Sequence, residues 1–149
     1  MLHLAEQIII NEILTKYRTI AVVGLSRDPN KDSYKVSSYL KTKGYTIIPL
    51  NPYADRILGE KSYKGFFDMP SELQKKIEIV DIFRPSNFIP VIVDEAIKLR
   101  HKHGSPYVIW MQLNIINDAA SQKAKNSGFT VIMNRCMMIE HSRLFHEKL

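Results

Sequence analysis

The sequence predicts an α/β fold built on a doubly wound, five-stranded parallel sheet. Five short apolar runs rich in β-branched residues recur along the chain. Their hydrophobicity is nearly continuous rather than alternating, as expected of strands covered on both faces. Segments with helical spacing separate them, and glycines follow three of those segments, where a left-handed residue ends a helix. Such alternation implies right-handed crossovers with helices on both faces of the sheet. A chain of 149 residues, 45% hydrophobic and 24% charged, suits one globular domain spanning 1–149.

The elements follow in order. Ala5, Ile9, Ile13 and Tyr17 mark an added N-terminal helix at about residues 4–16. The first strand is expected over Thr19–Leu25. A helix with Val36, Tyr39 and Leu40 on its apolar face follows and stops at Gly44. Strands over Tyr45–Leu50 and Ile77–Phe83 come next. The following helix has Ser86 as a candidate N-cap, Pro90 in its first turn and Ile89, Ile92, Val93, Ala96 and Leu99 on its buried face. It ends in the cations of Arg100–His103, which suit the negative end of the helix dipole, and then Gly104. Tyr107–Leu113 is the fourth strand. Asp118 is a candidate N-cap for a weaker helix carrying Ala119, Ala120, Lys123 and Ala124, closed by Gly128, and Phe129–Met133 is the fifth strand.

The formal net charge of +6 favours anionic ligands. Lys41, Lys43, Lys75, Lys76, Lys98 and Lys102 are spread over several segments without interleaved aromatics. That pattern reads as a solvated basic surface and argues against a nucleic-acid platform. Cys136 is the sole cysteine, which excludes an intramolecular disulfide and fits a reducing compartment. No uncharged run reaches membrane-spanning length, and Glu6 and Glu12 interrupt the apolar N-terminus. The expectation is a soluble, cytoplasmic protein with no membrane partner.

Ligands of doubly wound sheets bind at the carboxyl ends of the strands, near the point where strand order reverses. After the first strand only Gly24 remains of a dinucleotide glycine fingerprint. A longer loop replaces it, carrying Ser26, Arg27, Lys31, Ser33 and Tyr34 and opening onto a helix. Hydroxyls, cations and a helix start together form an anion site. The competing reading makes Ser33 a helix cap and Lys31 a solvated cation. After the second strand, Asn51-Pro52 stands where NAD-binding domains place an acidic residue for the ribose, with Arg56 nearby. After the third strand, Phe83 could face a base or pack in the core, Arg84 could meet a phosphate, and Ser86 lies just beyond. In the fourth strand Trp110 either fills the core or lines a thiol-ended tail, and Gln112 is placed to orient a ligand. Cys136 with His141 suggests a nucleophile but lacks a third orienting group. His101 and His103 do not share a helix face and form no metal pair.

In order and spacing, several blocks resemble a known family: Ile20–Ser26 with Pro29, Lys31 and Ser33–Val36; Ile48–Pro52; Leu58–Tyr63; Val80–Arg84; Trp110–Leu113; and Arg135-Cys136 with Ile139–Leu144. From about Arg18 to the Leu144 region the chain is similar to stand-alone, Rossmann-like CoA-binding domain proteins, related to the CoA-binding domain of the succinyl-CoA synthetase α subunit. The resemblance implies coenzyme A as cofactor. It places the pyrophosphate at Ser26–Ser33, the nucleotide end near Asn51 and Pro52, Phe83, Arg84 and Ser86 along the crevice, and the pantetheine toward the fourth strand. Two residues depart from the pattern: Asn114 replaces an expected Gly, and Asn134 an expected Asp. The synthetase chemistry needs domains and a phosphorylated histidine that this region does not contain.

The expected function is therefore a CoA-binding protein holding CoA or an acyl-CoA, with no evident catalytic residues. An NAD(P)-dependent enzyme or nucleotide sensor on the same fold is the alternative. A homodimer is compatible with the extra helices.

Overall fold

The computed structural model describes residues 2–149. Five parallel strands form one sheet: β1 (Thr19–Val23), β2 (Thr46–Leu50), β5 (Ile79–Ile82), β6 (Val108–Met111) and β7 (Thr130–Ile132), in the order β2-β1-β5-β6-β7. Between them in sequence lies a two-stranded antiparallel ribbon, β3 (Arg56–Ile57) and β4 (Glu60–Lys61). The helices are α1 (Leu2–Lys16), α2 (Asp32–Thr42), α3 (Ser71–Gln74), α4 (Ile89–His103), α5 (Asp118–Asn126) and α6 (Met137–Phe145). All five expected strands are present, each shorter by one to three residues at its ends, where the chain turns off the sheet.

Alternation along the strands divides the interior in two. Ala21, Ile48, Val80, Ile82, Ile109 and Met111 face α4 and α5, against Ile92, Val93, Ala96, Leu99, Ala120 and Ala124. Ile20, Val22, Ile47, Ile79, Val108 and Trp110 face the other side, against Ile10, Leu14, Val36, Leu40 and Met137 of α1, α2 and α6. Both faces of the central strands are thus buried, which is why their sequences read as continuous apolar runs.

Gly44, Gly104 and Gly128 all hold positive φ just past α2, α4 and α5, as expected of helix-ending glycines. Two cap expectations are corrected. Asn117, not Asp118, caps α5, its side chain accepting from the Ala120 N–H at 2.9 Å. Asp118 is the first helical residue. Ser86 starts a 3-10 turn ahead of α4, and its Oγ accepts from the Ile116 N–H at 3.2 Å instead of capping. Among the described residues no helix is long and apolar enough to cross a membrane.

Candidate functional site

Strand order reverses between β1 and β5: from β1 the chain passes to β2 on one side and later to β5 on the other. Their carboxyl ends define the switch point. Gly24 leaves β1 with φ +85°, and its N–H donates to Leu50 O at 3.0 Å. A Cβ at this position would lie 2.9 Å from Phe83 O and 2.9 Å from Arg84 Cδ. Only glycine fits both the left-handed backbone and the close approach of the β5 exit.

Four hollows line this edge, each sharing walls with the next. The first, about 410 Å³, is bounded by Gly24, Asn51, Pro52, Tyr53, Lys64, Arg84, Phe88, Val91 and Glu95. The second, about 290 Å³, is bounded by Gly24, Ser26, Lys31, Asp32, Ser33 and Phe83. Asp32 and Phe83 continue into a third of about 250 Å³ with Lys35, Gln112, Leu113, Cys136, Met138 and Ile139. Leu113, Cys136 and Ile139 then form the wall of a fourth, about 440 Å³, holding Glu6, Asn134, Arg135, Glu140 and Arg143. The result is one crevice running across the switch point along the carboxyl edge.

The loop over the second hollow is fixed by its own short side chains. Ser33 Oγ accepts from the Ser26 N–H at 2.9 Å, Ser26 Oγ from the Asp28 N–H at 3.0 Å, and Asp28 Oδ1 from the Asn30 N–H at 2.9 Å. Both serine hydroxyls act there as acceptors, leaving their protons free to donate. Ser33 ties the loop down rather than capping α2, whose N-cap residue, Lys31, makes no capping bond. The first-turn N–H groups of α2 therefore have no side-chain acceptor, and the exposed Lys31 lines the hollow beside the opposing charge of Asp32.

In the first hollow, the Asn51 amide is held at both ends: Nδ2 donates to Leu25 O at 3.0 Å, and Oδ1 accepts from the Tyr53 N–H at 2.7 Å. Arg84 lies with its guanidinium carbon 4.1 Å from the Phe88 ring centroid, in cation–π contact. Arg56 is remote from this wall and donates to Gly59 O of its own turn at 2.6 Å.

The third hollow sits on a buried polar chain. Asp81 and Gln112 share the sheet face of Trp110. Gln112 Nε2 donates to Asp81 Oδ1 at 2.5 Å, and Gln112 Oε1 accepts the Met137 N–H at the start of α6 at 3.2 Å. Asp81 is wholly buried and its Oδ2 has no partner. Burial pushes its carboxyl up to about 7, opposed by the bonds from Gln112 and the Ile82 backbone. Burial also raises the thiol of the half-buried Cys136, while the N–H groups of Ile139 and Met138 facing the sulfur pull the other way.

Of the residues expected at the site, the structure brings Gly24, Ser26, Lys31, Ser33, Asn51, Pro52, Phe83, Arg84 and Gln112 to this crevice. Of its two readings Trp110 takes the core one, away from the crevice where it was also a candidate: it is 0% exposed, and its indole N–H donates to Arg135 O at 2.9 Å beneath α6. Tyr34 packs against the same core, Ser86 joins α4 to the loop after β6, and Arg27 points to solvent without lining a hollow. His141 does not pair with Cys136. Its Nδ1 meets the Tyr39 hydroxyl at 2.9 Å among Tyr45 and Phe145, and burial lowers its pKa.

Sequence reasoning missed Tyr53, Lys64, Phe88, Val91, Leu113, Met138 and Ile139. Phe88 and Val91 carried a signal, since they are apolar residues lying off the buried stripe of α4. Lys64 carried none, because it reaches the crevice through long-range pairing of Tyr63 with Leu50. The two departures prove coupled: Asn114 and Asn134 both adopt left-handed φ, +69° and +61°, and the Asn134 side chain accepts the Asn114 N–H at 2.7 Å. Asparagine tolerates that conformation better than other non-glycine residues. An aspartate at 134 could accept the same bond.

Comparison with known proteins identifies the family and the fold. Residues 18–142 match the CoA binding domain family. The protein YneT of Bacillus subtilis is 38% identical over 133 residues, covering 89% of this chain and 92% of that protein. A solved structure from Pyrococcus horikoshii superposes with a TM-score of 0.83 at 40% identity, covering 93% of this chain and 92% of the other. The ADP-forming acetate–CoA ligase II of Archaeoglobus fulgidus is 34% identical over 81 residues, which are 53% of this chain but 11% of the ligase. The chain belongs to the CoA binding domain family.

Proposed function

We propose that this protein binds coenzyme A or an acyl-CoA along the carboxyl edge of its sheet, as a binding protein rather than an enzyme. The observation that carries this reading is the continuity of the hollows across the switch point. An extended ligand with an anionic middle suits such a path. Its pyrophosphate would lie over Gly24, where no Cβ intervenes, among the Ser26 and Ser33 hydroxyls, Lys31 and the start of α2. The nucleotide end would occupy the hollow of Asn51, Pro52 and Arg84, and the pantetheine the hollow of Phe83 and Gln112.

The site chemistry favours this over a nicotinamide dinucleotide. Asn51 carries no charge, so it lacks the carboxylate that would accept both hydroxyls of a ribose diol, and its amide is already held by Leu25 O and the Tyr53 N–H. His141 is turned away from the only thiol. No base, nucleophile and orienting group meet in the crevice among the described residues.

Thermal unfolding with CoA, acetyl-CoA, NAD, NADP and ATP in parallel tests the reading. A ligand at one hundred times its Kd adds about 2.7 kcal/mol of stability, which moves the midpoint by roughly 5–10 °C for a domain of this size. CoA and acetyl-CoA are expected to give that shift, and Ser26→Glu to abolish it by placing a carboxylate against the pyrophosphate. A shift with NAD or NADP and none with CoA would overturn the reading.

A further inference from the structure

The first hollow combines exposed apolar surface with charges of both signs that the fold leaves unpaired. At about 410 Å³ it falls within the roughly 300–1,000 Å³ of small-molecule sites. Tyr53, Phe88 and Val91 line it and are 85%, 41% and 61% exposed. Large apolar groups left open to water around one concavity suit a flat ligand with an apolar face, such as a base. Lys64 and Arg84 line the same hollow, and the Arg84 guanidinium rests 4.1 Å from the Phe88 ring centroid. Among the described residues the ion pairs all lie elsewhere, so both cations are available to an anion.

Glu95 completes this wall. Phe88 at the start of α4, Val91 and Glu95 recur every three to four residues and so share one face of the helix. Two helical turns, about 10 Å, separate Phe88 from Glu95, which sets the carboxylate apart from the cation held on the Phe88 ring. Glu95 is half-buried and makes no ion pair among the described residues. Burial raises its pKa, Lys98 opposes that shift and Asp68 adds to it. A partly desolvated carboxylate in this position gains from a ligand N–H donor. Gly24 is the wall shared with the second hollow, where Ser26, Lys31 and Ser33 form a separate loop suited to anions. Cations on either side of one glycine fit a ligand with two separate phosphate groups.

We propose that the first hollow is selective for a 3′-phosphorylated adenosine: Lys64 and Arg84 take the ribose phosphate, and Glu95 accepts from the exocyclic amine of the base. The inference rests on the CoA-binding reading and deepens it, because it makes the phosphate on the ribose a condition of tight binding. Dephospho-CoA and NAD carry a pyrophosphate but no such group. The guanidinium of Arg84 offers several donors to the phosphate oxygens, and Lys64 adds a second charge from the other wall. At the far end the contact is directional. Guanine presents a carbonyl oxygen where adenine presents its amine, so Glu95 would then face a second acceptor.

Calorimetric titration of the full chain with CoA and with dephospho-CoA, which differ only in that phosphate, tests the first contact. CoA is expected to bind about tenfold or more tightly. Lys64→Met and Arg84→Met should each shrink that ratio while leaving the affinity for dephospho-CoA nearly unchanged. Lys125→Met, an equal loss of charge at an exposed position of α5, should leave the ratio as it is. For the second contact, adenosine 3′,5′-bisphosphate should bind about tenfold more tightly than guanosine 3′,5′-bisphosphate, a preference that Glu95→Met removes. Equal affinities for CoA and dephospho-CoA, a ratio that falls as far in Lys125→Met, or equal affinities for the two bisphosphates would overturn this inference and leave the CoA-binding reading standing. No binding of either form of CoA would remove both.

Discussion

The loop after β1 and the corner where β6 meets α6 face the same crevice but are held in opposite ways. The loop is fixed by exposed or half-buried bonds between residues two to seven apart: Ser33 to Ser26, Ser26 to Asp28, Asp28 to Asn30. The corner is fixed by buried bonds between residues 25 and 31 apart: Gln112 to Met137 and to Asp81. Local wiring of this kind costs little to rearrange and leaves two hydroxyl protons free to donate. The buried chain is costly to break and places a carboxyl where its protonation changes near neutral pH. Two walls of one cleft are thus held by different kinds of bonding.

The largest expected effect separates the two by pH. Asp81 titrates at about 7 in the folded protein against 3.8 when solvated, so the fold binds more protons than the unfolded chain between those values. The contribution of this carboxyl to stability is complete below pH 4 and is lost as pH rises through about 7, on the order of 4 kcal/mol in all. Asp81→Asn should flatten that slope in urea unfolding between pH 4 and 8, making the variant more stable than the parent at pH 8. Identical slopes would show that the corner is more hydrated than its geometry implies.

Gln112→Leu should cost about 3 kcal/mol by stranding both Asp81 and the Met137 N–H, whereas Ser33→Ala in the loop should cost about 1 kcal/mol. Urea midpoints measured together would break the comparison if the two losses were equal. Gly24→Ala joins both regions, since the added methyl meets Phe83 O and Arg84. A loss of about 2 kcal/mol is expected, with weaker CoA binding by calorimetry. The smallest effect is Asn134→Ala, about 1 kcal/mol, read from the thermal midpoint. Asn134→Asp should retain most of that stability because its carboxylate can still accept the Asn114 N–H.

This contrast also separates what the sequence revealed from what it concealed. The five strands were legible because parallel-sheet burial leaves unbroken apolar runs such as Ile79–Ile82, interrupted only by Asp81. The loop from Gly24 to Ser33 was legible because its bonding is local and its residue types carry their chemistry openly. Asp81 carried no local signal of its role, since nothing within reach in sequence shows that Gln112 meets it. Trp110 had two readings, core or crevice, and only the long-range packing under α6, where Arg135 O receives its N–H, decides for the core. Ser86 failed as a cap because its acceptor role is taken by a residue 30 positions away.

The order of the strands also imposes a timetable on synthesis. Every wall of the first hollow exists once Glu95 has been made, and the loop over the second is complete earlier still. The third hollow waits for Ile139. At ordinary translation rates that interval lasts roughly 2–9 s. Throughout it, the sheet face carrying Asp81, which Trp110 joins partway, lacks its α6 cover. A nascent chain thus acquires the first hollow of its crevice well before the third, and Cys136 is enclosed only when α6 has formed.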